Sequence, residues 1–243
     1  MSKIDDKIAN GYQLNLSQLY FDTVNIYKKS ALVSGLILFL LGIVVFVLYA
    51  VGLFIYFETP LPTEEQIQSF NIYNLSTQQL LTFGLLQAFI FGVFGVLSAG
   101  LLRLCENVDE NRPPMLETIF QVFVQKTGWR VLIFAFIFQL ILSCITFFFD
   151  ALNVFLASWF IMILAYTLFI FVIPLLIFEK QSLGKSVVNS TKIVNKRPVL
   201  MLSLVMFNSV FAMAGLFFFL IGIFATLPIW YAFVYSLYKQ FKQ

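Results

Sequence analysis

Six apolar runs with no charged residue in their interiors limit what this chain can fold into. About 20 apolar residues in a helix cross the hydrocarbon core of a bilayer. The runs therefore predict an all-α polytopic membrane protein with six transmembrane helices, in a single membrane domain over residues 1–243. The six predicted spans are Ala31–Phe57, Leu80–Leu104, Val131–Phe149, Val154–Phe178, Val199–Gly215 and Ile221–Tyr238.

The overall composition agrees with this class. The chain is 60% hydrophobic and 11% charged, and its mean hydropathy is +0.92; soluble domains carry roughly a quarter charged residues. The first apolar run has no small-residue cleavage site before Glu58, so we expect a retained span and not a cleaved signal peptide. A net charge of only +3 gives no reason to expect a nucleic-acid partner.

The distribution of charge predicts the orientation. With six spans and a cytoplasmic N-terminus, all 15 Lys and Arg residues fall on the cytoplasmic side. The three opposite connections contain only acidic charges, at Glu58, Glu64, Glu65 and Asp150. Short cytoplasmic loops are enriched in basic residues. We therefore expect a multi-pass protein of the bacterial inner membrane with both termini in the cytoplasm.

Polar segments before the odd-numbered spans have helical, amphipathic patterns. They predict up to three cytoplasmic interfacial helices: one within residues 1–30 together with the N-terminal tail, one at 113–128 and one at 182–196. In the third, Leu183, Val187, Thr191 and Val194 share one side and the lysines the other, so we expect it to lie flat on the membrane. Whether the three units are true repeats or independent basic loops stays open.

The basic residues of these segments are candidate contacts for anionic lipid, although the topology alone would also place them there. These candidates are Lys28, Lys29, Lys126, Arg130, Lys185, Lys192, Lys196 and Arg197.

Uncharged polar side chains are the other candidate sites. Gln139 and Asn208 fall near the middle of spans three and five, where an unpaired amide is costly. Two interpretations are open: hydrogen bonds between helices, or a polar cavity between the spans. The candidate intramembrane polar cluster consists of Gln87, Gln139, Asn208 and Ser209.

No motif for catalysis, metal binding or a cofactor is visible. The chain has no histidine, the spans lack acidic and basic residues in their interiors, and Cys105 and Cys144 have no metal-ligand spacing. We expect no catalytic residues, no metal and no cofactor, hence no enzyme. The alternative of an enzyme that uses loop residues such as Glu64 or Asp150 is the weakest.

The last third carries two segments with a recognisable likeness: FEKQSLGKSVVNSTKIVNKRP and LFFFLIGIFATLPIWYAFVYSLYKQF. They resemble a loose group of uncharacterised bacterial six-span membrane proteins. They are also similar to the membrane domain that accompanies some glycerophosphodiester phosphodiesterases. The phosphodiesterase domain itself has no counterpart in this chain, so the resemblance implies the architecture and no catalytic residue.

Two functions remain as expectations. The first is a non-catalytic scaffold or accessory protein that presents basic interfacial helices to the lipid bilayer, to anionic lipid or to a membrane protein partner. The second is a transporter or channel for an uncharged or lipidic solute, through a polar cavity near Gln139 and Asn208.

Overall fold

The computed structural model describes residues 11–57, 63–64, 76–217 and 222–242. Within these ranges the chain forms helices and connecting turns and no strand. The helices are α1 (Leu16–Phe57), α2 (Thr77–Asp109), α3 (Leu116–Val124), α4 (Lys126–Ala151), α5 (Phe155–Leu168), α6 (Val172–Ile177), α7 (Leu183–Lys196), α8 (Pro198–Met213), a 3₁₀ turn (Ala214–Phe217), α9 (Gly222–Thr226) and α10 (Pro228–Lys242). The predicted tail up to residue 10, most of the acidic connection after Glu58, and Ile221 lie outside the described residues.

Five helical segments in the described ranges are long and apolar enough to cross a membrane: Leu16–Gly52, Thr77–Asp109, Lys126–Ala151, Phe155–Ile177 and Pro198–Phe217. They confirm an all-helical protein with several candidate spans. The sixth predicted span is not among them, because the chain there is divided into α9 and α10.

Helix α1 runs without a break from the polar N-terminal segment into the first apolar run. Its 42 residues extend over about 63 Å at 1.5 Å per residue. The sequence predicted a separate interfacial helix before Ala31, and this is corrected to one continuous helix. A buried stripe at helical spacing (Leu19, Thr23, Ile26 and Ser30) packs the polar half of α1 against the rest of the protein.

Two asparagines end the long helices α2 and α4. Asn111 and Asn153 both have a φ of 58°, the left-handed conformation that asparagine tolerates better than most residues. After each one the next backbone N–H reaches back into the helix, Arg112 to the Asn107 carbonyl at 2.7 Å and Val154 to the Phe149 carbonyl at 3.0 Å. This arrangement satisfies carbonyls that a helix end would leave unpaired.

The predicted helix over residues 113–128 is shorter in the structure. Helix α3 ends at Val124, and α4 begins at Lys126 after a single extended residue, Gln125. The corner requires Gly128, because a Cβ atom there would collide with the Val122 carbonyl. Lys126 is therefore the first residue of α4 and not the end of an interfacial helix.

Helices α5 and α6 are one predicted span broken at residues 169–171. Pro174 explains the position, since proline has no N–H and its ring collides with the carbonyl four residues earlier, that of Ile170. Ser190 of α7 repairs the break: its hydroxyl donates to the Leu168 carbonyl at 2.7 Å and accepts from the Phe171 N–H at 3.2 Å.

Helix α7 therefore docks through a face that contains polar as well as apolar side chains. Its buried residues are Ser186, Asn189, Ser190, Ile193 and Val194, whereas Leu183, Val187 and Thr191 of the predicted apolar face are only partly buried. The backbone groups freed at the α5–α6 break need hydrogen-bond partners, and serine supplies them where an apolar face cannot.

The C-terminal hairpin between α8 and α9 is closed by Thr226. Its hydroxyl donates to the Ala212 carbonyl at 2.6 Å and accepts from the Gly215 N–H at 3.2 Å. At this turn the chain segments approach so closely that a Cβ atom on Gly215 would lie 2.2 Å from the Gly222 carbonyl.

Helix α10 is the central element of the fold. Seven consecutive residues, from Ala232 to Tyr238, are buried, so every side of the helix is covered. Its end also lies beside the start of α1: the Asn15 N–H donates to Gln240 at 3.1 Å, and the Gln240 amide donates to the Asn15 carbonyl at 2.9 Å.

A candidate ligand cavity between the helices

A cavity of about 340 Å³ lies between α2, α4, the α5–α6 segment and α10. Most of its wall is apolar, and about half of its lining residues are aromatic. It is lined by Phe91, Phe94, Gly95, Ser98, Leu102, Phe134, Ala135, Phe138, Gln139, Tyr166, Phe169, Ile170, Ile173, Pro174, Trp230, Tyr231 and Val234. A pocket of this size with few polar groups is typical of small-molecule sites, which span about 300–1,000 Å³.

Close helix packing brings two of these walls together. A Cβ atom added at Gly95 of α2 would lie 2.6 Å from the Cβ of Ala135 on α4, and one at Gly92 would lie 3.3 Å from the Leu132 carbonyl. Small residues allow such close approach between helices. Gly84, by contrast, has nothing within 4 Å of the added atom.

The aromatic rings of the wall pack against one another. The Phe138 ring lies 5.6 Å from that of Phe134, 5.3 Å from that of Phe169 and 5.4 Å from that of Tyr166, and the last two contacts are edge to face. Such pairs are favourable beyond their buried area and restrict ring motion. The cavity therefore has a defined shape.

Polar side chains interrupt the apolar wall at Ser98, Tyr231, Gln139 and Tyr166. On one side the hydroxyls of Ser98 and Tyr231 are 3.3 Å apart. On the other, the Gln139 amide, 8% exposed, donates to the Ser143 hydroxyl at 3.2 Å. No carboxylate, amine, guanidinium or thiol is among the lining residues in the described part of the chain.

The predicted polar cluster is divided by the structure. Gln139 lines the cavity, and Gln87, Asn208 and Ser209 do not. Gln87 is exposed on α2. Asn208 is 2% exposed, its Nδ2 has no hydrogen-bond partner, and the Ser209 hydroxyl bonds the Val205 carbonyl of its own helix at 2.8 Å.

The predicted basic residues lie at the surface. Lys28, Lys126 and Lys192 are exposed, as are Lys29, Lys185, Lys196 and Arg197. Arg130 is half-buried, and its guanidinium donates to the Gln181 carbonyl at 3.3 Å.

Lys29 and Arg197 each have an identified neighbour. Lys29 donates to Asn111 at 3.3 Å, and the Arg197 guanidinium lies 6.0 Å from the centre of the Tyr12 ring. Burial raises the pKa of Tyr12 to about 12, and the charge of Arg197 opposes this rise. The Tyr12 hydroxyl stays protonated and donates to the Ile193 carbonyl at 3.1 Å.

An ionic cluster at the end of α10 was not predicted from the sequence. Lys239 lies 2.7 Å from Asp109 of α2 and 3.9 Å from Asp22 of α1. Tyr235 also donates to Asp109, at 3.3 Å, and Tyr238 donates to Glu179. The cluster ties three helices together from residues more than 50 positions apart, and no local pattern signals such pairs.

Sequence reasoning also missed Ser98, Trp230 and Tyr231, the cavity residues contributed by α2 and α10. Ser98 lies three residues after Gly95, one of the small residues that bring α2 against α4, and this position is a usable signal for Ser98 alone. Among the described residues, no group of three or more Cys, Asp or Glu side chains is placed to hold a metal ion.

Comparison with protein-family models, curated proteins and solved structures finds no match to this chain. The resemblance of the C-terminal third therefore stays a prediction, and the argument for function depends on the cavity and the surface.

Proposed function

We propose that this protein is a non-catalytic, multi-pass protein of the inner membrane that binds an uncharged lipidic molecule between its helices. The observation that carries the proposal is the half-open aromatic cavity between α2, α4, α5–α6 and α10. A wall of this kind favours hydrocarbon over water, and in the described part of the chain its lining includes no carboxylate, amine, guanidinium or thiol.

The proximity of the two ends of the chain supports cytoplasmic N- and C-termini. The paired hydrogen bonds between Asn15 and Gln240 support a topology with both ends on the same side of the membrane, and therefore an even number of crossings. The proposed six are the five long candidate helices and the broken α9–α10 segment. A fluorescent protein that matures only in the cytoplasm, fused after Gln243, should be bright; a dark fusion at equal expression would contradict this topology.

Filling the cavity tests the binding function. Ile173 lines the cavity, and Ile173→Trp should occupy the space that a ligand would use. Ile141 is 53% exposed on α4 and does not line the cavity, so Ile141→Trp is the matched control. Native mass spectrometry of protein purified in mild detergent should show a lipid adduct for wild type and Ile141→Trp.

The same spectra should show little adduct for Ile173→Trp, provided that its elution volume and melting temperature match those of the control. Equal adduct on all three proteins would mean that the lipid is bound elsewhere. An absence of adduct on the wild type, after addition of neutral lipid extract, would refute the function.

A second candidate, the scaffold that presents basic helices, is favoured by the geometry of α7. The helix is held at its buried face by Ser190, and Lys185, Lys192 and Lys196 are exposed. Exposed basic residues near an anionic surface contribute about 1 kcal/mol each. The three lysines would then select anionic lipid at the cytoplasmic surface.

The test replaces all three lysines of α7 with glutamine and measures retention of phosphatidylglycerol against phosphatidylcholine in nanodiscs. The variant should lose the preference for phosphatidylglycerol. Lys242→Gln, which removes an exposed charge at the end of α10, should retain it. An unchanged preference in the triple variant would leave the lysines with a role in topology only.

A further inference from the structure

We propose that the cavity selects a neutral lipid with a single hydrocarbon chain that ends in one uncharged oxygen group, an alcohol or a carbonyl. The oxygen is bound by the hydroxyl pair of Ser98 and Tyr231, and the chain lies along the aromatic wall towards Gln139. This inference rests on the proposed function and adds the chemical class and the orientation of the ligand.

The hydroxyl pair has spare hydrogen-bonding capacity. Each hydroxyl has one proton and two acceptor lone pairs, and Ser98 and Tyr231 share a single contact of 3.3 Å. One proton suffices for that bond, so the pair can donate the other to a ligand oxygen and can also accept from a ligand hydroxyl. An alcohol or a carbonyl satisfies it, whereas a plain alkane leaves it unsatisfied.

The rest of the cavity is suited to hydrocarbon. Gly95 of α2 lies at the same level as Val131 and Ala135 of α4. The two helices run antiparallel, so Ser98 lies beyond Gly95 in one direction and Gln139 lies beyond Ala135 in the other. At 1.5 Å per residue these two side chains are about 12–15 Å apart along the helix axis. The wall between them is formed by rings, among them Phe94, Phe134 and Phe138. The hydroxyl pair therefore lies at one end of an apolar stretch.

Charge and size exclude the common membrane lipids. A phosphate or an ammonium buried here would have no counter-charge, because no lining residue in the described chain is acidic or basic, and an unpaired buried charge is very costly. A volume of about 340 Å³ is also small for a lipid with two acyl chains.

The rim of the cavity offers a route for the chain. Phe91 is 40% and Tyr166 38% exposed, and both belong to segments long and apolar enough to span a membrane. A ligand can therefore enter sideways from the bilayer.

Tryptophan fluorescence provides a direct test. The chain has three tryptophans: Trp230 lines the cavity, and Trp129 and Trp159 are 62% and 67% exposed. The double variant Trp129→Phe/Trp159→Phe leaves Trp230 as the single reporter. Three twelve-carbon probes that carry bromine on C2, close to the oxygen group and hence to Trp230, are titrated in detergent: 2-bromododecan-1-ol, 2-bromododecane, and 2-bromododecanoic acid at pH 9.

The alcohol should quench Trp230 saturably, and unlabelled dodecan-1-ol should reverse the quenching. The alkane should bind about 2- to 10-fold more weakly, the effect of one hydrogen bond, and the carboxylate more weakly still. In this background the double variant Ser98→Ala/Tyr231→Phe should weaken the alcohol to the level of the alkane and leave the alkane unchanged, because either hydroxyl alone could still bond the ligand oxygen. Ser209→Ala, whose hydroxyl bonds its own helix, is the control and should change neither.

Two results would overturn the inference in different ways. Equal, saturable binding of all three probes, unaffected by the double variant Ser98→Ala/Tyr231→Phe, would refute the ligand class and leave a lipid-binding cavity in place. Tightest binding of the carboxylate probe would also refute the ligand class and leave the lipid-binding cavity in place. If no probe quenches saturably while the proteins remain folded and monodisperse, both the ligand class and the proposed binding function fail.

Discussion

Replacing Ser190 by alanine should loosen the attachment of α7 without touching any of its lysines. Ser190 is fully buried, and its hydroxyl serves two backbone groups at the α5–α6 break, the Leu168 carbonyl at 2.7 Å and the Phe171 N–H at 3.2 Å. Ser190→Ala leaves both groups buried and unpaired. Each such group costs about 1–3 kcal/mol, and partial relaxation leaves an expected loss of about 2–4 kcal/mol.

The same helix provides a matched control. Ser186 is also fully buried, but its hydroxyl bonds only the Ser182 carbonyl at 3.0 Å, which the Ser186 N–H already serves at 2.9 Å. Ser186→Ala therefore leaves no backbone group unpaired. We expect a change within about 0.5 kcal/mol, as for other substitutions that leave no group unsatisfied.

Thermal unfolding in detergent should show the difference. For a chain of this length 1 kcal/mol corresponds to about 2–4 °C, so Ser190→Ala should melt about 4–16 °C below wild type. Hydrogen exchange should rise over residues 183–196 in that variant alone. Equal melting temperatures for the two variants would refute the claim that Ser190 repairs the break and holds α7 in place.

Three further predictions follow from buried groups and close contacts. Lys239→Met leaves the carboxylates of Asp109 and Asp22 without their cation and should destabilise the protein by about 1–3 kcal/mol, as measured by thermal unfolding in detergent. Lys242→Met, at the exposed end of α10, should have little effect. Equal melting temperatures for the two variants would contradict a structural role for the ionic cluster. Asn208→Leu removes a buried amide nitrogen that has no hydrogen-bond partner and should maintain or raise the melting temperature. A marked fall in the melting temperature would show that the amide stabilises the protein. Gly95→Val pushes α2 away from α4 and should lower the free energy of unfolding by about 1–3 kcal/mol. Gly84→Val, with open space around it, should leave that free energy unchanged. Similar losses of stability at both sites would refute close packing as the reason for Gly95.

Local signals in the sequence predicted the parts of the fold that depend on neighbouring residues. Apolar runs marked the helices that are long enough to span a bilayer, because a continuous stretch of apolar side chains needs no knowledge of its partners. The asparagines after α2 and α4 lie in the turns where polar segments were expected. Gln139 was singled out as a buried amide, and the structure places it in the cavity.

These local signals could not predict contacts between residues that are distant in the chain. The pairing of Lys239 with Asp109, and of Ser98 with Tyr231, joins residues more than 100 positions apart. Asn208 gave the same local signal as Gln139, and only the packing of α8 separates it from the cavity. Sequence periodicity could therefore identify candidate polar residues but could not predict which of them lie together in a site.

The sequence by itself determined the class of this protein, since its apolar runs and the placement of its charges are properties of single segments in a bilayer. The tertiary structure alone decided which faces are covered. Helix α10 carries the aromatic pattern of a lipid-facing span yet lies in the centre, because other helices surround it. Helix α7 buries Ser190 beside Ile193 and Val194, because the broken neighbouring helix offers unpaired backbone groups that the serine hydroxyl can bond.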